Sequence, residues 1–195
     1  LWWKQTFYEH SAKVPAIVSW PGVLPEGKRF DEVISSLDLN ATMIDALGGQ
    51  ALPHSRGRSL LPLIQGETSA WENVAFSEFC QDAAGGGGPF PSAGVYQRMV
   101  RRDEWKLNYY AGLPSQLFNL KEDPDELQDR VNDPDCADVV RTLTEEVLAG
   151  WNPEDVARKM AAKREDNKVL SAWARQTGPE DQMRWDLRPE MDYLE

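Results

Sequence analysis

Positive charge is in short supply in this chain, and cysteine and histidine are scarcer still. Against 32 Asp and Glu stand 21 Lys and Arg, a formal net charge of −11. Proteins bind a phosphate backbone through Lys and Arg that displace its counterions, so this balance excludes a nucleic-acid partner. The two cysteines, Cys80 and Cys136, lie far apart and outside any Cys-x-x-Cys spacing, which offers neither a disulfide framework nor a metal site. His10 and His54 are the only histidines, and with no paired cysteines a zinc centre is not expected. No apolar run approaches the roughly 18 residues needed to cross a bilayer, so a soluble chain with no membrane partner is expected. The chain opens at Leu1 without methionine. The lack of a leader therefore says nothing about compartment, and cytoplasm and periplasm both stay open.

Periodicity supplies the elements. Ala16 to Trp20 is a short apolar run closed by Pro21-Gly22, which predicts a buried strand ending in a turn. Ser35-Ser36 offers an N-cap, Leu37, Met43, Ile44 and Leu47 recur at helical spacing, and Gly48-Gly49 supplies the stop, so a helix is predicted between them. Strands are predicted over residues 73–79, 95–101, 105–110 and 116–120, with a turn at Asp123-Pro124-Asp125-Glu126. Four strands joined by short connections imply a small antiparallel sheet. Val139, Val140, Leu143, Val147 and Leu148 give residues 134–150 an apolar stripe that should cover one face of it. Residues from Pro153 onward form a charged helix with a narrow apolar edge. The Gly85–Gly88 run should be mobile, and the aperiodic end should lie extended, with Trp185 and Leu187 packed near that loop on the rim of a substrate pocket.

Few residues stand out chemically. Lys4 lies among Trp2, Trp3, Phe7 and Tyr8, where water is excluded and a point charge is worth more. His10, beside Glu9, is a second candidate as an acid or base. Gly57-Arg58-Ser59-Leu60-Leu61 lacks the second glycine of a nucleophile elbow, and the Gly85–Gly88 run has no Lys-Ser/Thr after it to cradle phosphate.

Five segments carry a resemblance. Leu1-Trp2-Trp3-Lys4, with Tyr8-Glu9-His10-Ser11-Ala12-Lys13-Val14-Pro15 running on to Pro21-Gly22, resembles the start of the last third of a type I sulfatase. Ser36 to Met43 is similar to that family's Asp-x-x-Pro-Thr helix, and Gly57-Arg58-Ser59-Leu60 with Pro62-Leu63-Ile64-Gln65-Gly66 to its Gly-Arg-Ser-Leu-x-Pro-Leu-x-x-Gly. Arg102 to Leu107 and Gln116 to Glu126 resemble the hairpin and closing strand of its C-terminal sheet. Lys13 stands where the family usually has arginine and cannot make arginine's bidentate fork. The charged end, with Trp185-Asp186-Leu187-Arg188-Pro189, is similar to choline-sulfatase-like enzymes.

The resemblance implies an α/β fold of the alkaline phosphatase superfamily, seen here in part. Residues 1–70 would be the C-terminal part of the catalytic domain, 71–151 an antiparallel subdomain, and 152–195 a charged helix and tail. It implies hydrolysis of a small-molecule sulfate ester in the intact protein, with Lys4 holding the sulfate and stabilising the leaving group, Ca²⁺ bound, and a formylglycine made from Cys/Ser-x-Pro-x-Arg as nucleophile. That motif is missing from this chain: Ser19-Trp20-Pro21-Gly22-Val23 has Val where Arg is required. Calcium ligands at a recognisable spacing are missing as well. Alone, the chain should be inactive, its partner being the rest of the sulfatase domain upstream, and homo-oligomerisation stays open. The alternatives are a phosphonate or phosphate ester hydrolase of the same superfamily and a non-catalytic binding module.

Overall fold

A computed structural model describes residues 6–67, 71–81 and 94–178. Four antiparallel strands, β1 (Val74–Gln81), β2 (Val95–Arg102), β3 (Trp105–Tyr110) and β4 (Gln116–Asn119), form one sheet in chain order. Arg102 pairs with Trp105, so the β2–β3 turn is the two residues Asp103-Glu104. Asp103 takes the positive φ of 52° that tight hairpins demand and that Asp tolerates better than most residues. Register puts Val100, Leu107 and Leu117 side by side on one face.

Helix α4 (Ala137–Leu148) follows a 3-10 turn at Pro134–Cys136 and lays Leu143 and Val147 onto that apolar row, closing a core that includes Cys136. Each such side chain contributes about 1.5–3 kcal/mol when buried. Arg98 fixes the helix end: its guanidinium donates to Val147 O at 2.8 Å, satisfying a carbonyl that has no partner within the helix, and lies over the Phe76 ring. Arg102 forks onto Glu146 farther along α4.

The region before the sheet departs from its sequence pattern twice. Ala16 to Trp20 is extended but is not a strand, and all five residues are exposed, Ile17 at 93%. A strand needs a neighbour to receive its backbone hydrogen bonds, and no described strand borders this one. The turn after it does form: Val23 N donates to Trp20 O and Gly22 has φ +76°, the position where a type II turn requires glycine.

Helix α2 (Ser36–Ala46) is capped as expected, with Ser35 and Asp38 forming a capping box, yet it faces the opposite way. Leu37, Met43 and Leu47 are exposed, whereas Asp38 and Thr42 are buried. Asp38 accepts from Ser35 N at 2.7 Å and Arg58 N at 2.8 Å. Thr42 Oγ1 accepts from Leu60 N at 2.8 Å. The polar face therefore holds the Gly57 to Leu60 backbone. Gly57 is required there because a Cβ would come within 2.2 Å of Leu37 O. The short helix α3 (Leu61–Ile64) follows and buries Leu63.

By contact the chain divides into two units, residues 1–157 and 158–195. Helix α5 (Pro153–Thr177) runs 25 residues and buries none of them, as its narrow apolar edge predicts. No helix among the described residues is long and apolar enough to cross a membrane. Lys4, the glycine run and the Trp185 to Pro189 string all lie outside the described residues.

Candidate functional site

The second face of the sheet is polar and nevertheless buried. Lys106, Asn108 and Tyr110 of β3 point to it, flanked in register by Arg101, Met99 and Gln97 on β2 and by Phe118 and Gln116 on β4. Its cover is the segment around helix α1 (Glu9–Ala12). Phe7 is buried, the Tyr8 ring lies 5.9 Å from that of Phe118, and Gln116 Nε2 donates to the Tyr8 hydroxyl at 2.9 Å while Gln116 Oε1 accepts from Tyr110 at 3.0 Å.

A buried ion network adjoins this clamp. The Lys106 side chain is 0% exposed, and its Nζ lies 3.1 Å from Glu9 Oε1 and 2.7 Å from Glu126 Oε1, whose side chain is 1% exposed. Glu126 Oε2 also accepts from Glu9 N at 2.5 Å, and Arg101 reaches Glu9 Oε2 at 3.2 Å. Two cations and two anions balance, as groups this far from water must. Glu126 is delivered by the Asp123 turn: its backbone sits at φ +54°, and the Asp123 carboxylate accepts from Leu127 N and Gln128 N.

A hollow of about 510 Å³ opens beside the clamp, bordered by Tyr8, Tyr110, Leu113, Gln116 and Asp129. Burial pushes the Tyr110 phenol up to about 12, so at neutral pH it is a hydroxyl donor. Asn108 lies close enough to favour the Tyr110 phenolate slightly, but neither of its own amide atoms makes a hydrogen bond.

His10 occupies the second position of α1 and is exposed, away from the buried ions. Lys4 precedes Glu9 by five positions. Lys106 and Glu126 were not singled out from sequence. In the alternation Trp105-Lys106-Leu107-Asn108 the polar positions read as solvent-facing, and Glu126 as one more acidic residue in a turn. The available signal was the pairing of an alternating strand with an apolar segment, Phe7-Tyr8, that had no other place to pack. Among the described residues no three His, Cys, Asp or Glu side chains gather into a metal-holding group.

The chain matches the family described as N-sulphoglucosamine sulphohydrolase, C-terminal, over residues 1–151. It is 32% identical over 139 residues to a choline-sulfatase of Rhizobium meliloti, covering 69% of this chain and 24% of that protein. The fold is similar to a phosphonate monoester hydrolase from Silicibacter pomeroyi, with TM-score 0.63 and 26% identity over 76% of this chain and 30% of the other. A protein assigned as a sulfatase from Bacteroides thetaiotaomicron VPI-5482 aligns with TM-score 0.61 and 24% identity, covering 78% of this chain and 33% of that one, which shows the fold alone. With a match across more than three quarters of its residues, the chain belongs to the sulphohydrolase C-terminal family. Its architecture is the antiparallel end of an alkaline-phosphatase-like sulfatase fold. The chain spans about a quarter of the choline-sulfatase it matches.

Proposed function

We propose that the intact protein is a sulfuric ester hydrolase in which Lys4 binds the sulfate and stabilises the leaving group. The observation that carries this reading is the family match, which begins at the Lys4 segment and continues through the sheet. As the S–O bond breaks, charge moves onto the bridging oxygen, and an ammonium in a site shielded from water is worth most in that transition state. His10 is the accompanying acid or base candidate. The proposal places formylglycine, which supplies the nucleophile, and Ca²⁺ outside this chain; the described residues hold no fitting metal cluster, so no step here passes through either. On this reading the chain alone is inactive.

The same proposal assigns residues 1–70 to the catalytic α/β domain, 71–151 to the antiparallel subdomain, and 152–195 to a charged helix and tail. The exposed Ile17, Val18, Leu37, Met43 and Leu47 support an N-terminal region that packs against more of the protein, because monomeric surfaces rarely leave so many large apolar groups open. A second reading, phosphonate monoester hydrolysis, is favoured by the similarity to the Silicibacter pomeroyi enzyme, and a lysine that holds sulfate also holds a phosphonate.

The test is Lys4→Ala in the full-length protein, assayed with an aryl sulfate and a phosphonate monoester. We expect kcat for the better substrate to fall by about two orders of magnitude, the scale for losing one preorganised electrostatic group. Kinetics within threefold of wild type would retire the Lys4 assignment. The ratio of kcat/KM for the two esters decides between the readings.

A further inference from the structure

We propose that Lys106 and Glu126 form a positioning pair for the Lys4 segment: they fix the direction in which the chain runs from the sheet toward Lys4. The inference rests on the reading of Lys4 above. Lys106 is the largest fully buried side chain among the described residues, and lysine is almost never fully buried unless paired. A buried ion pair is a poor device for stability, since well-packed apolar side chains often serve a core as well or better. What it offers is direction. Here every contact in the network converges on one residue of the N-terminal segment, Glu9. Glu126 takes its backbone N–H, Lys106 takes one carboxylate oxygen and Arg101 takes the other.

Glu9 is thus held from both its main chain and its side chain. Two residues before it, Phe7 is buried, and between them Tyr8 is fixed by Gln116. Three consecutive anchors leave the chain little freedom of direction at the point where it departs for Lys4, three positions before Phe7. The strained backbone of Glu126, with φ +54°, accords with this: non-glycine residues hold that conformation where the side chain must arrive at one place. Misplacing a reacting group by about 1 Å can cost on the order of a hundredfold in rate.

The experiment is a double-mutant cycle on the full-length enzyme with its better ester substrate. Glu126→Gln and Lys106→Met are made singly and in combination with Lys4→Ala. Each single variant is expected to lower kcat by about tenfold or more, with KM within about threefold of wild type. In the Lys4→Ala background the same changes should lower the residual kcat by less than about twofold, because their effect passes through Lys4. Equal fold losses in both backgrounds, or no loss in either, would overturn the positioning role. An unchanged kcat for Lys4→Ala itself overturns the Lys4 assignment and this inference with it, so the two failures are distinct. Should Lys106→Met not fold, Glu9→Gln keeps shape and backbone N–H while weakening the ion contacts, and it must give the same pattern.

Discussion

Asn108 shows most plainly what the buried polar face costs. Its side chain is fully buried in β3 and both amide atoms lack partners, a state that costs about 1–3 kcal/mol for an unsatisfied group. Replacing it with Leu, of nearly the same shape, should raise the free energy of unfolding of this chain by about 1–3 kcal/mol, read from urea denaturation. A loss of stability of more than about 1 kcal/mol would mean that Asn108 has a partner the described residues do not supply. From the sequence, Asn108 and Lys106 read as exposed because alternation on one strand identifies two faces without saying how many are covered. The second cover comes from a segment nearly a hundred residues away, Phe7 to Glu9, and no local pattern reports such a pairing.

Helix α2 separates two things that periodicity merges: where a helix is, and which way it faces. Its bounds and its Ser35 cap were legible because capping is a local contest for unpaired backbone N–H groups. Its orientation was not. Leu37, Met43 and Leu47 suggested a buried stripe, whereas the buried positions are Asp38 and Thr42, which receive the amides of Arg58 and Leu60. In this chain Asp38→Ala should lower unfolding free energy by about 2–4 kcal/mol, through loss of two charge-assisted hydrogen bonds. Leu47→Ala, 88% exposed, should stay within about 0.5 kcal/mol. The reverse ranking in urea melts would show that α2 buries its apolar side. Helix α4 is the contrasting case: its stripe and the Val100, Leu107, Leu117 row are complementary and adjacent in the chain, so pattern and packing agree.

For the molecule as a whole, the pKa directions define an alkaline limit. Burial pushes the Cys80 thiol from its ordinary 9.0 up to about 11 and the Tyr110 phenol from 10.0 up to about 12. Below pH 9 both groups are protonated folded and unfolded, and their contribution to stability is complete. Above it the unfolded chain releases these protons while the folded chain retains them, so stability falls as pH rises from about 9 to about 12. Urea midpoints measured across that range should decline, and Tyr110→Phe should flatten the upper part of the decline; a midpoint that rises with pH would reverse the assignment.

The sequence by itself determined the four-strand order, the covering helix α4, the charged helix α5 and the family, because each rests on neighbouring residues: turn chemistry, period, caps and short motifs in order. Tertiary structure alone decided that Ala16 to Trp20 stays exposed, that α2 presents its polar side inward, and that Lys106 and Glu126 meet at Glu9. These depend on which surfaces come together across long stretches of chain. A buried charge is tolerated only where its counter-charge arrives, and Glu9 and Glu126, 117 positions apart, arrive beside Lys106 only in the folded state.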